Sequence, residues 1–438
     1  MTPMLWAGAV LAVLLCLLAL GVPIAFALGF VSIAALILAD GWGSLSILGE
    51  TFFGGLASFG LVSIPMFILM GAAVASSPAG KDLYEALDRW LNRVPGGLVL
   101  SNLGACSIFA ALSGSSPATC AAIGKMGIPE MTKRGYPNEI AAGSIAAGGT
   151  LGILIPPSIT LIVYGIATET SIGRLFLAGL VPGFMLTALF MIWTIYDCRR
   201  RGVGLDMVTR RFSFAERFEV LPRVLPFLAI IVAILFVLYG GVATPSEAAG
   251  VGALLCLVLV AVIYKLFKPS LYTGLFRDTL KESVMIMMII GASELFSFAL
   301  SSLFITQTIA AWIADLDVNR WVLMAIINVF LLFAGFFLPP VAVILMTAPI
   351  LLPIIIQAGF DPYWFAIVLT INMEIGLITP PVGLNLYVIN GIAPNISLGE
   401  VLRGSIPYVG CMVLGIVLLC FIPQIALLLP DLVMGPGQ

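Results

Sequence analysis

Apolar stretches about as long as a bilayer crossing follow one another from Leu5 to the C-terminal tail. A helix needs roughly 20 such residues to cross the hydrocarbon core. Inside that core every backbone N–H and C=O must find a partner within the protein, so runs of this length fold as helices. Hydrophobic residues make up 61% of the chain and charged residues 10%, too little polar surface to clothe a water-soluble core. The sequence therefore reads as an all-α, polytopic membrane protein. Its start, "MTPMLWAGAV", lacks the basic region and cleavage site of a secretory signal, so the first helix is expected to remain and to direct insertion.

Spans are expected near 4–20, 22–39, 61–78, 140–167 and 176–197, then near 225–240, 246–264, 284–303, 363–391 and 405–429, about ten transmembrane helices. Two further apolar stretches, 97–129 and 321–354, are too long for one crossing and are broken centrally by "ALSGSSPATCAAIG" and "GFFLPPVAVILMTAP". Such breaks suit re-entrant hairpins, tolerated only where protein or a water-filled cavity satisfies the freed backbone. This threading leaves loops 79–95, 124–139, 198–224, 264–282 and 392–404 on one face, and of the 20 basic residues only Arg174 and Arg320 fall opposite. The crowded face is then cytoplasmic, and both termini lie outside.

The chain also matches itself. Pro129, Gly135, Gly152, Pro156 and Pro157 recur 224 positions later as Pro353, Gly359, Gly376, Pro380 and Pro381. With small gaps Pro23 meets Pro245, Gly71 meets Gly291, "SIG" at 171 meets "SLG" at 397, and Pro182 meets Pro407. Each half, 1–223 and 224–438, carries five spans and one hairpin. Five is odd, so the second half enters from the opposite side, the inverted repeat of secondary transporters. Within each half the expected order is scaffold helices (4–78; 225–303), an arm (81–94; 306–320), a re-entrant hairpin (97–129; 321–354), a broken helix (140–167; 363–391) and a last helix (176–197; 405–429). Leu83, Leu87, Trp90, Leu91 and Val94 share one helical face of the first arm, and Ile309, Trp312, Ile313 and Leu316 one of the second, which suits helices lying in the interface plane; ordinary polar loops are the plainer alternative.

"GILIPPS" at 152 and "GLITPPV" at 376 place adjacent prolines inside membrane-length segments. Proline removes a donor, clashes with the preceding turn and pushes its predecessor out of helical geometry. A simple kink is one outcome; two matched pairs, each following a broken hairpin, favour unwound breaks at Pro156 and Pro157 and at Pro380 and Pro381. Bare carbonyls at membrane depth need a partner, and a hard cation such as sodium takes oxygen ligands. Hydroxyls are supplied by Ser113, Ser115, Ser116, Thr119, Thr150 and Ser158, and by Thr347, Thr370 and Thr379. The N-termini of half-helices carry partial positive charge and can hold an anion without lysine or arginine. Ser115, Ser116, Thr119, Asn372 and Asn385 are the candidate substrate contacts, the amides offering both hydrogen-bonding senses.

Ionisable residues inside spans are candidates for function. Glu294 in "IIGASELFSF" and Glu374 in "INMEIGLITPP" are the two clear ones, as candidates for ion or proton coupling. For Glu374, cation binding, proton carriage, capping of the broken helix and a structural hydrogen bond all stand open. Glu247 fits a first helical turn capped by Thr244 or Ser246. Histidine is absent, which removes the commonest general base, proton relay and metal ligand, and the 7 cysteines show no CxxC pairing; no cofactor is expected beyond a coupling ion, and an intramembrane serine protease built on "SGSSP" lacks a base.

"ALSGSSPA", "GGTLGILIPPS", "SIGRLFLAGLVPG", "ATPSEAAG", "EIGLITPPVGLNLYV" and "SLGEVLRGSIPY" together resemble the large membrane subunit of the tripartite ATP-independent periplasmic (TRAP) transporters over essentially the whole chain. The resemblance implies an inverted-repeat, elevator-type transporter: a mobile domain carries the hairpins and discontinuous helices past a scaffold that a separate four-helix small membrane subunit extends. It implies a periplasmic substrate-binding protein that delivers an organic acid, typically a C4-dicarboxylate or sialic acid, with sodium as the coupling ion. It implies a multi-pass place in the bacterial inner membrane, and no nucleic-acid partner is expected. By the family pattern one sodium site uses Ser113 with Gly152, Ile155 and Pro157, and the other uses Gly335 with Gly376, Thr379 and Val382. Relatives often have serine three residues before Ser113; here Ala110 stands there. A stand-alone sodium- or proton-coupled carboxylate carrier of the same architecture is the alternative, and a passive channel a third reading.

Overall fold

A computed structural model describes residues 2–203, 212–315 and 319–435, and among them every regular element is helical. The first half holds α1 (Pro3–Ala19), α2 (Ile24–Asp40), α3 (Leu48–Leu56), α4 (Ser63–Ala75), α5 (Ala79–Leu91), α6 (Gly97–Ser113), α7 (Ser116–Lys133), α8 (Asn138–Thr150), α9 (Ile159–Ala167) and α10 (Ile172–Arg201). The second holds α11 (Phe214–Glu219), α12 (Leu221–Tyr239), α13 (Pro245–Tyr264), α14 (Pro269–Ser302), α15 (Ile305–Asp315), α16 (Arg320–Phe337), α17 (Pro340–Gln357), α18 (Pro362–Leu377), α19 (Leu384–Ile392), α20 (Leu398–Phe421) and α21 (Gln424–Met434).

Among the described residues 7 helices are each long and apolar enough to cross a membrane. An eighth crossing arises if residues 42–56 and 59–75, bent by 55°, act together. That pair corrects the expectation of a loop between 39 and 61: Trp42–Ile47 is a 3₁₀ turn running into α3. A larger correction concerns 264–282, read as a cytoplasmic loop. Those residues include the first part of α14, a helix of 34 residues, about 51 Å long. Its buried Leu275, Thr279, Ser283 and Ile286 recur at helical spacing, so tertiary packing carries the helix straight through charges that suggested a loop. Both arms of the second hairpin, α16 and α17, are 18 residues long, each about 27 Å.

The halves interleave: α4 packs on α13, α2 on α14 and α8 on α20. An inner group is buried all round, as expected for helices apolar on every face. In α8 every residue from Ile140 to Thr150 is buried, and in α18 every residue from Trp364 to Leu377. Small residues let α8 meet α20 closely; a Cβ on either Gly143 or Gly404 would overlap the backbone of the other helix. Asn138 Nδ2 donates to Glu400 at 3.3 Å, and Arg403 pairs with Glu139 at 3.0 Å beside that contact. The outer helices α2, α12 and α13 instead present side chains such as Phe30, Phe236 and Leu254 outward. The matched "SIG" and "SLG" stretches begin α10 and α20, with Ser171 and Ser397 as caps, and Thr244 rather than Ser246 closes a capping box with Glu247.

The first arm differs in one respect from a helix lying on an interface. Trp90 of α5 is exposed, but two carboxylates on the expected polar side are buried. Asp82 accepts from Tyr264 at 2.8 Å and faces Arg223 at 3.7 Å, and Asp88 lies 3.6 Å from Arg134. Burial lifts the Asp88 carboxyl above its ordinary range, with the Arg134 guanidinium pulling it back. On the second arm, α15 ends at Asp315 and exposes Trp312; Leu316, assigned to its apolar face, lies outside the described residues.

Candidate functional site

At the first hairpin tip α6 stops at Ser113, Gly114 turns the chain with φ +59°, and α7 starts at Ser116. The tip meets the break in the following helix. After Thr150 a 3₁₀ turn, Leu151–Ile153, gives way to a non-helical stretch before Ser158 caps α9 by accepting from Leu161 N–H at 3.2 Å. Missing side chains make this meeting feasible: a Cβ on Gly114 would sit 2.9 Å from the Pro157 oxygen, and one on Gly152 2.7 Å from the Ser115 carbonyl. Hydroxyls tie the pieces. Ser116 Oγ donates to the Thr150 carbonyl at 3.0 Å and Ser158 Oγ to Ile153 at 2.5 Å, while Ser113 Oγ lies 2.7 Å from Thr119 Oγ1. Among the described residues no hydrogen bond reaches the carbonyls of Gly152, Ile155 or Pro157, which leaves three strong acceptors free in a buried break.

The second tip and break repeat the arrangement. Helix α16 ends at Phe337, Leu338 is extended, and α17 begins at Pro340. Gly335 and Gly376 touch backbone to backbone, since a Cβ on Gly376 would overlap the Gly335 carbonyl. Val382 N–H donates to Phe336 at 3.2 Å, and Thr379 Oγ1 donates to Ile375 at 2.6 Å, which leaves its oxygen lone pairs free to accept or to ligate. The carbonyls of Gly335 and Val382 receive no hydrogen bond among the described residues. Both Pro156–Pro157 and Pro380–Pro381 are cis.

The two tips face one cavity of about 350 Å³. Ser115, Ser116, Pro339 and Pro340 border it, as do Ile159 and Leu384, so the starts of α7, α9, α17 and α19 all converge there. Four helix N-termini around one space favour negative charge inside it. The opposite wall is α14, through Glu282, Met285, Ile286 and Ile289.

Of the residues singled out from sequence, Ser115 and Ser116 line this cavity. Ser113, Thr119, Gly152, Ile155 and Pro157 gather behind the first tip. Gly335, Gly376, Thr379 and Val382 gather behind the second. Asn372 and Asn385 are fully buried away from the cavity wall. Asn372 Nδ2 donates to Val368 at 2.9 Å and to Asn328 Oδ1 at 2.6 Å, and Asn385 Nδ2 donates to Ala146 at 3.1 Å. The side-chain oxygens of Asn372 and Asn385 and both oxygens of Glu374 are buried without a partner, four acceptors awaiting a donor or a cation. Glu294 stands apart, packed over Gly55 of α3 and about 18 Å along α14 from Glu282. Sequence reading missed Glu282, hidden in the supposed loop, and Asn328, whose bond to Asn372 joins α16 to α18. The helical recurrence of Leu275, Thr279 and Ser283 was the signal for the first.

Paired hairpins and paired interrupted helices around one shared cavity are the parts from which membrane transporters build a substrate path. The chain belongs to the family described as "Tripartite ATP-independent periplasmic transporter, DctM component", which matches residues 11–425. It is a transporter permease subunit and not an enzyme. It is 39% identical over 371 residues to the C4-dicarboxylate TRAP transporter large permease protein DctM of Pseudomonas aeruginosa, covering 85% of this chain and 86% of that one. It is 31% identical to the sialic acid TRAP transporter large permease protein SiaM of Vibrio cholerae, covering 96% and 98%. Among solved structures it resembles the Alcanivorax borkumensis YdaH transporter, with TM-score 0.62 and 17% identity over 90% of this chain and 89% of that one, a likeness of fold.

Proposed function

We propose that this chain is the permease through which a TRAP transporter takes up an organic acid, with inward sodium flow as the driving force. The observation that carries this reading is the single cavity bordered by both hairpin tips and four helix N-termini. It offers a carboxylate a positive end without buried lysine or arginine. One sodium ion is held behind the first tip by Ser113 and the carbonyls of Gly152, Ile155 and Pro157. A second is held behind the other tip by Gly335, Gly376, Thr379 and Val382. The free carbonyls support both sets, because a hard cation is the partner an unwound break lacks. Glu374 joins as a further acceptor near the second break. The inner helices move as an elevator past the outer ones; a four-helix small subunit extends the scaffold, and a periplasmic binding protein delivers the acid. The protein sits in the bacterial inner membrane with both termini periplasmic, as the distribution of basic residues supports. The names of relatives, a C4-dicarboxylate permease and a sialic acid permease, support a carboxylate as cargo.

The test is reconstitution into liposomes with the small subunit and binding protein, following labelled organic acids under an inward sodium gradient. Uptake should require all three components and fall to background when the gradient is collapsed. Uptake indifferent to the gradient removes sodium coupling. Uptake by the permease without the binding protein favours a stand-alone carrier.

A further inference from the structure

The cavity between the tips is chemically lopsided. Its hairpin side carries helix N-termini and hydroxyls. Its α14 side carries Glu282 above a carbon wall of Met285, Ile286 and Ile289. Among the described residues no lysine or arginine lines it. Glu282 is exposed and has no hydrogen bond or ion pair among the described residues, although Lys281 precedes it in sequence. An acid with one carboxylate can lodge that group against the N-termini and lay its remainder along carbon. An acid with a carboxylate at each end must set the second one against apolar side chains or beside Glu282. Setting it against carbon strips its hydration without compensation, and beside Glu282 the like charge repels it.

We infer that Glu282 is a specificity residue that makes this permease select acids with a single anionic head and an apolar or hydroxyl-bearing remainder, and disfavour dicarboxylates. The inference rests on the organic-acid reading above and narrows it. A hydroxyl at the far end of the substrate would donate to the Glu282 carboxylate, which has no other donor. Negative charge placed against an intended wrong ligand is a recognised route to specificity.

The experiment uses the full chain with its small subunit in lipid nanodiscs, so that the binding protein's own selectivity does not intervene. Thermal unfolding is followed against rising pentanoate, 5-hydroxypentanoate or glutarate, three acids of equal carbon count, in sodium chloride and in potassium chloride. The expected result is that both monocarboxylates raise the unfolding midpoint in sodium at concentrations at least tenfold lower than glutarate. In Glu282→Gln and Glu282→Ala, read together so that a folding defect in one does not hide the effect, the gap should shrink below threefold through tighter glutarate binding. Equal responses to pentanoate and glutarate in the unaltered chain overturn the inference, as does a gap that persists in both variants. If none of the three acids shifts the midpoint in either salt, the organic-acid reading itself falls, and this inference with it.

Discussion

The two helix breaks align without a gap and share their glycine and both prolines, yet live in different surroundings. Leu154 through Ser158 are buried without exception, whereas Thr379 is half-buried and Pro380, Pro381 and Val382 are exposed. Helix α17, from the other half, packs over α9 just after the first break. The glycine pair tells the same story. Gly71 of α4 lets the backbone of Ser113 come close, with a would-be Cβ 2.5 Å from its oxygen; Gly291 of α14, its sequence counterpart, instead admits the ring of Phe52, 2.6 Å from a would-be Cβ. The two breaks carry similar backbone chemistry, but what each packs against decides how much of that chemistry is locked and how much is open.

The glycine pair provides the largest test. Gly71→Ala pushes a methyl group into main chain that cannot swing aside, so it should cost about 1–3 kcal/mol and abolish uptake. Gly291→Ala meets a side chain that can rotate, and should cost less than half as much. Equal losses in thermal unfolding would break the comparison. Next come the hydroxyls. Ser158→Ala removes both a helix cap and a buried bond to Ile153 and should lower stability by about 0.5–2 kcal/mol. Thr379→Ala loses only a bond within its own turn, so stability should change by under about 0.5 kcal/mol, while the sodium concentration for half-maximal uptake rises severalfold. An unchanged sodium response would remove Thr379 from the proposed site.

The smallest expected effect separates the arms. Because burial holds the Asp88 carboxyl above its ordinary range, the folded chain keeps that proton more tightly than the unfolded one. Its contribution to stability therefore falls as pH rises from the unfolded carboxyl's pKa through the folded one. Asp88→Asn should flatten that part of a stability profile taken between about pH 4 and 7. A profile identical to that of the parent chain would mean that the carboxyl does not titrate differently in the two states.

Much of this was legible beforehand because backbone chemistry announces itself. Two prolines in an apolar span have few tolerable conformations, and Gly114, Ser115 and Gly152 mark where backbone must come close to backbone. What hid were features set by tertiary neighbours. The charges from Arg277 to Lys281 imitate a loop, and the burial of Leu275, Thr279 and Ser283 carries α14 through them. Asp82 and Asp88 look solvated on a helical wheel; Tyr264, Arg223 and Arg134 arrive from elsewhere in the chain to bury them. Gly43, Gly49, Gly54 and Gly55 dilute the apolar signal of 42–56, so its helix does not stand out in the sequence. The orphaned oxygens of Glu374, Asn372 and Asn385 depend on what surrounds them, which no spacing within one helix encodes.

Gly143 and Gly404 press α8 and α20 together with no cushion of side chains between them. A load placed on one helix passes to the other without slack, as through a strut. Since α8 runs directly into the first break and α20 lies one short helix beyond the second, a push felt at either end of this joint reaches both halves at once.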